Sequence, residues 1–182
     1  MPEKSKENET EVKSPEKGAT ASSTDKKRRL HIGLDLGTLQ SCFVNKLNKP
    51  GSEEDVGTIV PTIVGYPEDG ILSGILPGNS KMLHGEDAIA NELHLRLVHP
   101  LSDGVVSDLE ATKSFLKYLR EKVDPEFKRE VLCVIGIPAV ADADAKENLK
   151  KAAKGAFDGI LFIPEPFLAA LGMRDEDRLQ DP

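Results

Sequence analysis

Residues 32–38 read Ile-Gly-Leu-Asp-Leu-Gly-Thr, and this stretch decides the fold. It is an apolar run that carries a single carboxylate, Asp35, directly before Leu-Gly-Thr. A second apolar run begins at Ser41, so the spacing predicts a β-hairpin whose connection is Gly37 to Gln40. The turn would present successive backbone N–H groups beside one carboxylate. Such N–H groups bind phosphate oxygens, and one carboxylate can hold a hydrated Mg²⁺, although an ordinary hairpin with a polar tip has the same pattern.

The composition narrows the class of protein. A net charge of −7 and a pI near 5.2 disfavour general nucleic-acid binding, which needs a basic face. No apolar run approaches the roughly 18 residues of a membrane span, and the N-terminus lacks the apolar core of a secretory signal. Cys42 and Cys133 lie in apolar runs, which predicts buried free thiols. We therefore expect a soluble, cytoplasmic protein without an integral membrane segment.

The chain divides into three predicted parts. Residues 1–29 are mostly Glu, Lys, Ser and Thr with almost no large apolar side chain, which predicts a disordered charged tail. The basic cluster Lys26-Lys27-Arg28-Arg29 is either a solubilising flank or a contact for an acidic partner or lipid. Residues 30–172 alternate strand and helix patterns and form the predicted α/β lobe. Residues 173–182 form a charged connector.

The periodicity locates the elements of this lobe. We expect strands at 30–36, 41–47, 58–66, 131–137 and 159–163, and helices at about 86–95, 107–123, 143–157 and 165–172. A capping box, Ser107 to Glu110, opens the second helix. The strands 131–137 and 159–163 are continuously apolar, as in strands buried on both faces. The helix between them predicts a parallel pair with a right-handed crossover, added to an antiparallel set made by the first three strands.

Four segments resemble the bacterial actins of the actin and sugar-kinase ATPase superfamily. They are Asp35-Leu36-Gly37-Thr38 (the phosphate-1 motif), residues 100–108 (a Pro-Leu-x-Asp-Gly-Val segment), residues 134–139 (a strand before the next helix) and residues 163–172 (the connect-1 helix). They occur in family order. Residues 63–69 are most similar to the MamK family of magnetosome-organising filament proteins, with the MreB family of rod-shape proteins second. The resemblance implies the N-terminal lobe of the ribonuclease-H-like fold shared by actin- and DnaK-type ATPases.

The resemblance also implies the site. ATP and Mg²⁺ are the implied cofactors: Asp35 holds Mg²⁺ through water, and Gly37, Thr38, Leu39 and Gln40 contact the phosphates. Glu165 is the implied catalytic residue and orients the attacking water, a positioning role that phosphoryl transfer needs. The alternative is that Glu165 is only a first-turn acid favoured by the helix dipole. Asp103 fits a turn and Asp108 a helix start, so neither is assigned to catalysis. The four histidines show no metal-ligand spacing.

The second half of the superfamily site is not found in this sequence. It would comprise an Asp-x-Gly-x-Gly-Thr hairpin and a glycine-rich adenine segment, and residues 173–182 resemble the connector to that half. We expect an N-terminal half-site, incomplete as an ATPase by itself, whose partners are nucleotide and either copies of itself or full-length relatives in a filament. A DnaK-type chaperone ATPase fragment and a non-enzymatic, filament-interacting half-lobe are the alternatives. The coding sequence beyond codon 182 distinguishes all three.

Overall fold

The computed structural model describes residues 29–45, 57–70, 74–77 and 81–172. The predicted disordered tail, apart from Arg29, and the predicted connector at 173–182 lie outside the described residues, and both stay predictions. The described elements are, in chain order, β1 (Arg29–Leu36), β2 (Gln40–Asn45), β3 (Thr58–Pro61), β4 (Val64–Pro67), β5 (Leu83–His84), α1 (Gly85–Ala90), a 3₁₀ turn (Glu92–His94), β6 (Leu95–Val98), β7 (Leu101–Ser102), β8 (Val105–Val106), α2 (Leu109–Val123), β9 (Glu130–Ile137), α3 (Ala143–Ala153), β10 (Gly159–Pro164) and α4 (Glu165–Gly172).

A five-stranded mixed sheet organises the lobe, with strand order β10-β9-β1-β2-β3. β1 pairs antiparallel with β2, and β2 pairs antiparallel with β3. β9 lies parallel to both β1 and β10. The predicted topology is therefore confirmed, with 131–137 and 159–163 neighbours in one sheet. Because β1, β9 and β10 run in the same direction, their carboxyl ends meet at one edge.

One face of this sheet carries the hydrophobic core. β1 alternates exposed and buried residues along its length, as a strand with one covered face does. Its buried residues join the inward faces of α2 and α3 in one cluster, which includes Leu34, Phe115, Leu116 and Leu149. The opposite face of β1, with His31, Gly33 and Asp35, is exposed. The Asp35 carboxylate therefore lies on the face of the sheet that α2 and α3 do not cover.

The prediction of one strand over 58–66 is wrong, because the run divides into two strands in different sheets. β3 ends at Pro61, and β4 pairs instead with β5 and β6 in a separate three-stranded sheet. At the break, Thr62 N–H donates to the Leu39 carbonyl (2.9 Å) and Ile63 N–H to the Pro61 carbonyl (3.0 Å). Proline has no N–H for a ladder, and these two hydrogen bonds, of which the Thr62–Leu39 bond is long-range, turn the chain out of the first sheet.

The predicted start of α2 and the predicted end of α3 need correction. α2 begins one residue later than a Ser107 cap requires: the Asp108 carboxylate accepts from Ala111 N–H (2.9 Å), while the Ser107 hydroxyl donates to the His99 carbonyl (2.9 Å). α3 ends at Ala153 rather than 157, because Gly155 has φ +84° and takes the left-handed position that follows many helices.

The helix predicted at 86–95 is shorter than expected and directly follows β5 of the three-stranded sheet. α1 covers only Gly85–Ala90, where the Asn91 side chain donates to the Asp87 carbonyl (2.8 Å). A 3₁₀ turn follows, and Leu95 then opens β6 by pairing with Pro67. β6 was not predicted, because its alternating sequence is only four residues long and directly follows residues with helical spacing.

The expectation that β9 and β10 are buried on both faces is also wrong. Along β9, Leu132 and Val134 are only half-buried, while Val131, Cys133 and Ile135 between them are buried. On β10, Leu161 is 57% exposed. The core covers one face of β9, but β10, at the edge of the sheet, is at most half-buried on either face.

Candidate functional site

The turn between β1 and β2 has the tight geometry that the Gly37 position predicts. A Cβ on Gly37 would collide with the carbonyl oxygen of Gln40. Asp35 is paired with Cys42 across the two strands, and its side chain is exposed at the end of β1. Leu39 and Gln40 are exposed at the tip. The turn therefore brings backbone N–H groups close to one accessible carboxylate.

A buried polar pair fixes the base of this turn. The hydroxyls of Ser41 and Thr62 lie 2.7 Å apart, and both side chains are fully buried. A hydroxyl can both donate and accept a hydrogen bond, so each of the two buried hydroxyls has a hydrogen-bond partner in the other. Thr62 also binds the Leu39 carbonyl through its N–H, and the His99 ring nitrogen Nδ1 lies 3.2 Å from the Thr62 carbonyl. The segment that follows β3 therefore holds the β1–β2 turn in place through the hydrogen bonds of Thr62.

A second turn contacts the first one directly. β7 and β8 are joined by Asp103 and Gly104, which have φ +50° and +74° and so form a two-residue hairpin connection. Gly104 N–H donates to the Thr38 hydroxyl (3.2 Å). A Cβ on Gly104 would lie 2.6 Å from the Pro138 ring, at the end of β9. The two turns and the end of β9 therefore form one packed unit, and the assignment of Asp103 to a turn fits this geometry.

Glu165 enters the same region from β10. It is the first residue of α4 and directly follows Pro164, the last residue of β10. A Cβ on Gly136 would lie 3.3 Å from the Glu165 side chain and 3.4 Å from Leu168. The absence of a side chain on Gly136 therefore leaves room for Glu165 beside the end of β9.

Asp35 and Glu165 line one cleft. Its volume is about 430 Å³, and it lies on the face of the sheet opposite the core. The lining residues are Gly33, Leu34, Asp35, Cys42, Val44, Val134, Gly136, Glu165, Leu168 and Ala169. Two carboxylates far apart in sequence, Asp35 on β1 and Glu165 at the start of α4, thus line a largely apolar, open cavity.

The thiol pKa is raised in both cysteines, for partly different reasons. Partial burial and the nearby Asp35 carboxylate both raise the pKa of the Cys42 thiol. Burial alone raises the pKa of Cys133 to about 12. The expectation of a buried thiol is confirmed for Cys133, whereas Cys42 is half-buried and lines the cleft.

Within the described residues, no group of three or more His, Cys, Asp or Glu side chains is arranged to hold a metal ion.

The sequence matches the family described as MreB/Mbl protein over residues 29–176. The chain belongs to the MreB/Mbl family. The actin-like protein MamK of Paramagnetospirillum magneticum (strain AMB-1) is 30% identical over 152 residues, which are 81% of this chain and 41% of that protein. The chain therefore spans less than half the length of the curated relatives that it matches, and it corresponds to the N-terminal portion of a bacterial actin-like protein.

Two solved structures have the same fold as this MreB/Mbl member. A MamK double helical filament gives a TM-score of 0.69 at 29% identity, covering 80% of this chain and 44% of that one. A non-polymerising MamK mutant bound to AMPPNP gives 0.67 at 30% identity, covering 81% and 44%. The actin-like ATPase fold is thereby confirmed. The family match favours a bacterial actin over the chaperone-type alternative.

The structure brings most of the predicted site residues of this family member into one region. Asp35 and Glu165 share the cleft, Gly37 shapes the turn, and the Thr38 hydroxyl is already an acceptor for Gly104 N–H. Sequence reasoning missed the contributions of Gly136 and Gly104. Both glycines lie within the segments that resemble the bacterial actins, but their contacts depend on strand pairing and turn packing, which a single sequence does not display. Among the described helices, none is long and apolar enough to cross a membrane.

Proposed function

We propose that this chain is the N-terminal lobe of a filament-forming, cytoskeletal ATPase of the bacterial actin type. The cleft between the main sheet and α4, together with the β1–β2 turn that follows Asp35, binds the phosphates of Mg²⁺–ATP. The observation that carries the proposal is the meeting of two accessible carboxylates, Asp35 and Glu165, beside a glycine turn at the common edge of parallel strands. Ligands of open α/β sheets bind at this carboxyl edge.

The turn residues bind the phosphates through their backbone. Gly37, Thr38, Leu39 and Gln40 supply N–H groups, and position 37 must be glycine because a Cβ there would collide with the Gln40 carbonyl oxygen inside the turn. The Thr38 hydroxyl accepts from Gly104 N–H, so its own proton is free to be donated to a phosphate oxygen. A phosphate bound here is therefore coupled to the β7–β8 turn through one hydroxyl.

Asp35 fits a hydrated Mg²⁺. Mg²⁺ prefers oxygen ligands, keeps several waters and usually binds proteins through one or two carboxylates. The Asp35 side chain is exposed, lines the cleft and lies directly before the phosphate-binding turn. The ion, when bound, neutralises phosphate charge, and Asp35 holds it through water.

Glu165 is proposed to orient the attacking water. Its carboxylate is exposed in the cleft at the first turn of α4, and the space above Gly136 is open to it. A carboxylate in this place accepts a hydrogen bond from water and holds its oxygen toward the phosphate, which is the positioning that phosphoryl transfer requires.

All of these contacts approach the phosphates from one side. Phosphoryl transfer depends on charge stabilisation arranged in advance around the whole transferring group. We therefore propose that this half-site is a poor ATPase by itself. We also propose that the protein assembles with copies of itself or with full-length relatives in the cytoplasm. A role in organising magnetosomes follows only from its similarity to MamK.

An amide NMR titration tests the phosphate site. We expect Mg²⁺–AMPPNP at millimolar concentration to shift the amide signals of residues 37–40 of the 182-residue chain. Asp35→Asn should remove the Mg²⁺-dependent part of the shifts, because it removes the charge that holds the hydrated ion. Asp69→Asn, an exposed acid outside the cleft, is the matched control and should leave them unchanged. Shifts confined to other segments would contradict the proposal.

A further inference from the structure

A groove lies between the C-terminal part of α3 and the outer strand β10. Its volume is about 670 Å³. The buried Phe157 and the half-buried Ile160 and Phe162 give it an apolar floor. Three exposed lysines of the α3 end, Lys150, Lys151 and Lys154, line its rim, together with Glu147 and Asp158. This face is opposite to the nucleotide cleft and is not used by the proposed function.

The groove runs along a free strand edge. β10 is the last strand of the sheet order, and within the described part of the chain no strand pairs with its outer side. An open edge presents N–H and C=O groups that accept another strand. Peptides bind such edges through main-chain hydrogen bonds, while alternate side chains enter neighbouring pockets. The groove is therefore shaped for an extended segment.

The charges of the groove favour an acidic occupant. Lysines at a helix C-terminus are favoured by the helix dipole, which explains their presence on α3 in part. None of the ion pairs among the described residues uses Lys150, Lys151 or Lys154. The Asp158 carboxylate, in contrast, accepts from Val131 N–H (2.7 Å). A second copy of this edge would bring two sets of lysines together and be repelled.

The N-terminal part of the chain contains an acidic segment with the matching period. Residues 7–12 read Glu-Asn-Glu-Thr-Glu-Val, with a net charge of −3 and no proline. In an extended strand, Glu7, Glu9 and Glu11 project from the same face. The segment therefore combines free backbone N–H groups with three carboxylates at strand spacing.

The connection is long enough to reach the groove. β1 begins at Arg29, and its parallel arrangement with β9 and β10 places that start at the same end of the sheet as Gly159. A strand added to the outer side of β10 lies three strand spacings from β1, about 14 Å, whereas residues 13–28 span up to about 50 Å when extended. A short tether of this kind gives an effective concentration of about millimolar, which suits a weak intramolecular contact.

We propose that residues 7–12 of this chain bind the outer edge of β10 as an added strand. Their glutamates face the lysines at the end of α3. Main-chain hydrogen bonds, charge attraction and the short tether must together offset the entropy of ordering this segment, because its apolar content is too low to do so. The bound tail then covers the strand edge that would otherwise associate with other chains.

Hydrogen exchange of the full 182-residue chain tests this contact. The variant Glu7→Lys/Glu9→Lys/Glu11→Lys should raise the exchange rate of the β10 backbone, residues 159–164, by about tenfold, because it replaces attraction by repulsion. Adding Lys150→Glu/Lys151→Glu/Lys154→Glu to the same chain should restore the slow exchange. Salt should raise the exchange rate of the unmodified chain, since exposed charge pairs are screened.

Two controls make the same kinds of charge reversal at positions outside the proposed contact. Glu3→Lys/Glu16→Lys changes the tail outside the segment, and Lys146→Glu changes α3 outside the groove. Both should leave β10 exchange unchanged. The proposal is overturned if the tail variant exchanges like the unmodified chain, or if protection of β10 rises with protein concentration, which would show a second copy on the edge. If the lysine variant does not fold, the tail variant alone decides, since its changes lie outside the lobe.

Discussion

At the scale of single residues, the phosphate turn depends on the missing side chain of Gly37. We predict that Gly37→Ala lowers the free energy of unfolding by about 2 kcal/mol, within the usual range for a forced backbone shift. The reason is that its Cβ would collide with the Gln40 carbonyl oxygen. Urea unfolding followed by circular dichroism measures the change.

Gly33, on the strand that leads into this turn, provides the matched control. A Cβ there meets no atom within 4 Å, so Gly33→Ala should change the unfolding free energy by no more than about 0.5 kcal/mol. Equal losses in the two variants would show that β1 rejects alanine generally. The tight turn would then not be the cause.

Replacing Asp35 and replacing Glu165 should have different effects on nucleotide binding and turnover. In a two-lobed protein made by joining this chain to the C-terminal portion of MamK, Asp35→Ala should weaken Mg²⁺–nucleotide binding and turnover together, because it removes a ground-state contact to the hydrated ion. Glu165→Ala should spare binding and lower turnover by about 10²-fold, as expected for loss of a group that positions water. Filaments of the Glu165→Ala protein should form and persist.

Nucleotide affinity and steady-state phosphate release, measured on the same preparations, separate the two effects. The parent two-lobed protein and its Glu68→Gln variant, which changes an exposed acid outside the cleft, are the controls. A Glu165→Ala protein that hydrolyses ATP as fast as its parent would remove Glu165 from the site.

The sequence was informative about these residues to different degrees. Roles could be predicted for Asp35 and Glu165 because Asp35 opens the Asp-Leu-Gly-Thr motif and Glu165 lies near the start of the segment 163–172. Cys42 could not be placed in the cleft, because its neighbour Asp35 is set by the pairing register of β1 and β2. The same holds for Gly136, whose contact with Glu165 crosses from β9 to α4.

At the scale of elements, a buried ion pair joins the end of α2 to the start of β9. Arg120 Nη1 lies 3.0 Å from the Asp124 carboxylate, and both side chains are 5% exposed. Arg129 N–H also donates to Asp124 (2.9 Å), and Arg120 donates to the Arg129 carbonyl (3.0 Å). Burial opposes the charged form of Asp124, but these hydrogen bonds and the Arg120 charge outweigh it and lower its pKa.

This lowered pKa predicts a specific pH dependence. Because Asp124 binds its proton more weakly in the folded chain, its stabilising effect is present above the ordinary aspartate pKa of about 3.9 and is lost as the pH falls through the lower folded value. Asp124→Asn should reduce stability at pH 7 by about 3 kcal/mol, since it leaves Arg120 buried without its partner. It should also flatten the fall in stability below about pH 4.

Urea unfolding at a series of pH values measures both effects. Glu110→Gln breaks an exposed pair with Lys113 and should change stability by no more than about 0.5 kcal/mol. If Asp124→Asn behaves like that control at pH 7, the junction contributes little to stability.

Element prediction succeeded where local signals were strong. The strands of the main sheet, the body of α2 and the start of α4 were found from apolar periodicity and helix-start acids. The break after Pro61 was missed because 58–66 is continuously strand-like, and the break is made by long-range bonds between Thr62 and residues 39 and 41. Two-residue strands such as β5 and β7 are too short to have a periodic pattern.

At the scale of the whole molecule, the sheet is unevenly covered. Val44, Gly33, Val134 and Leu161 form one cross-strand row on the cleft face, where Val44 is 41% and Leu161 57% exposed. An apolar row of this kind favours association. We predict that Leu161→Lys raises the concentration at which the chain stays monomeric, as measured by analytical ultracentrifugation. Unchanged self-association would show that this row is not the contact.

The central claim is that the described lobe holds one side of a Mg²⁺–nucleotide site. Isothermal titration of the 182-residue chain with Mg²⁺–ATP, together with a phosphate-release assay, tests it most directly. We predict a Kd of about 1 mM or weaker, because only the Asp35–Gln40 side contacts the phosphates, and no steady phosphate release. Micromolar binding with steady phosphate release would contradict the account, since it would require a complete ATPase within this chain.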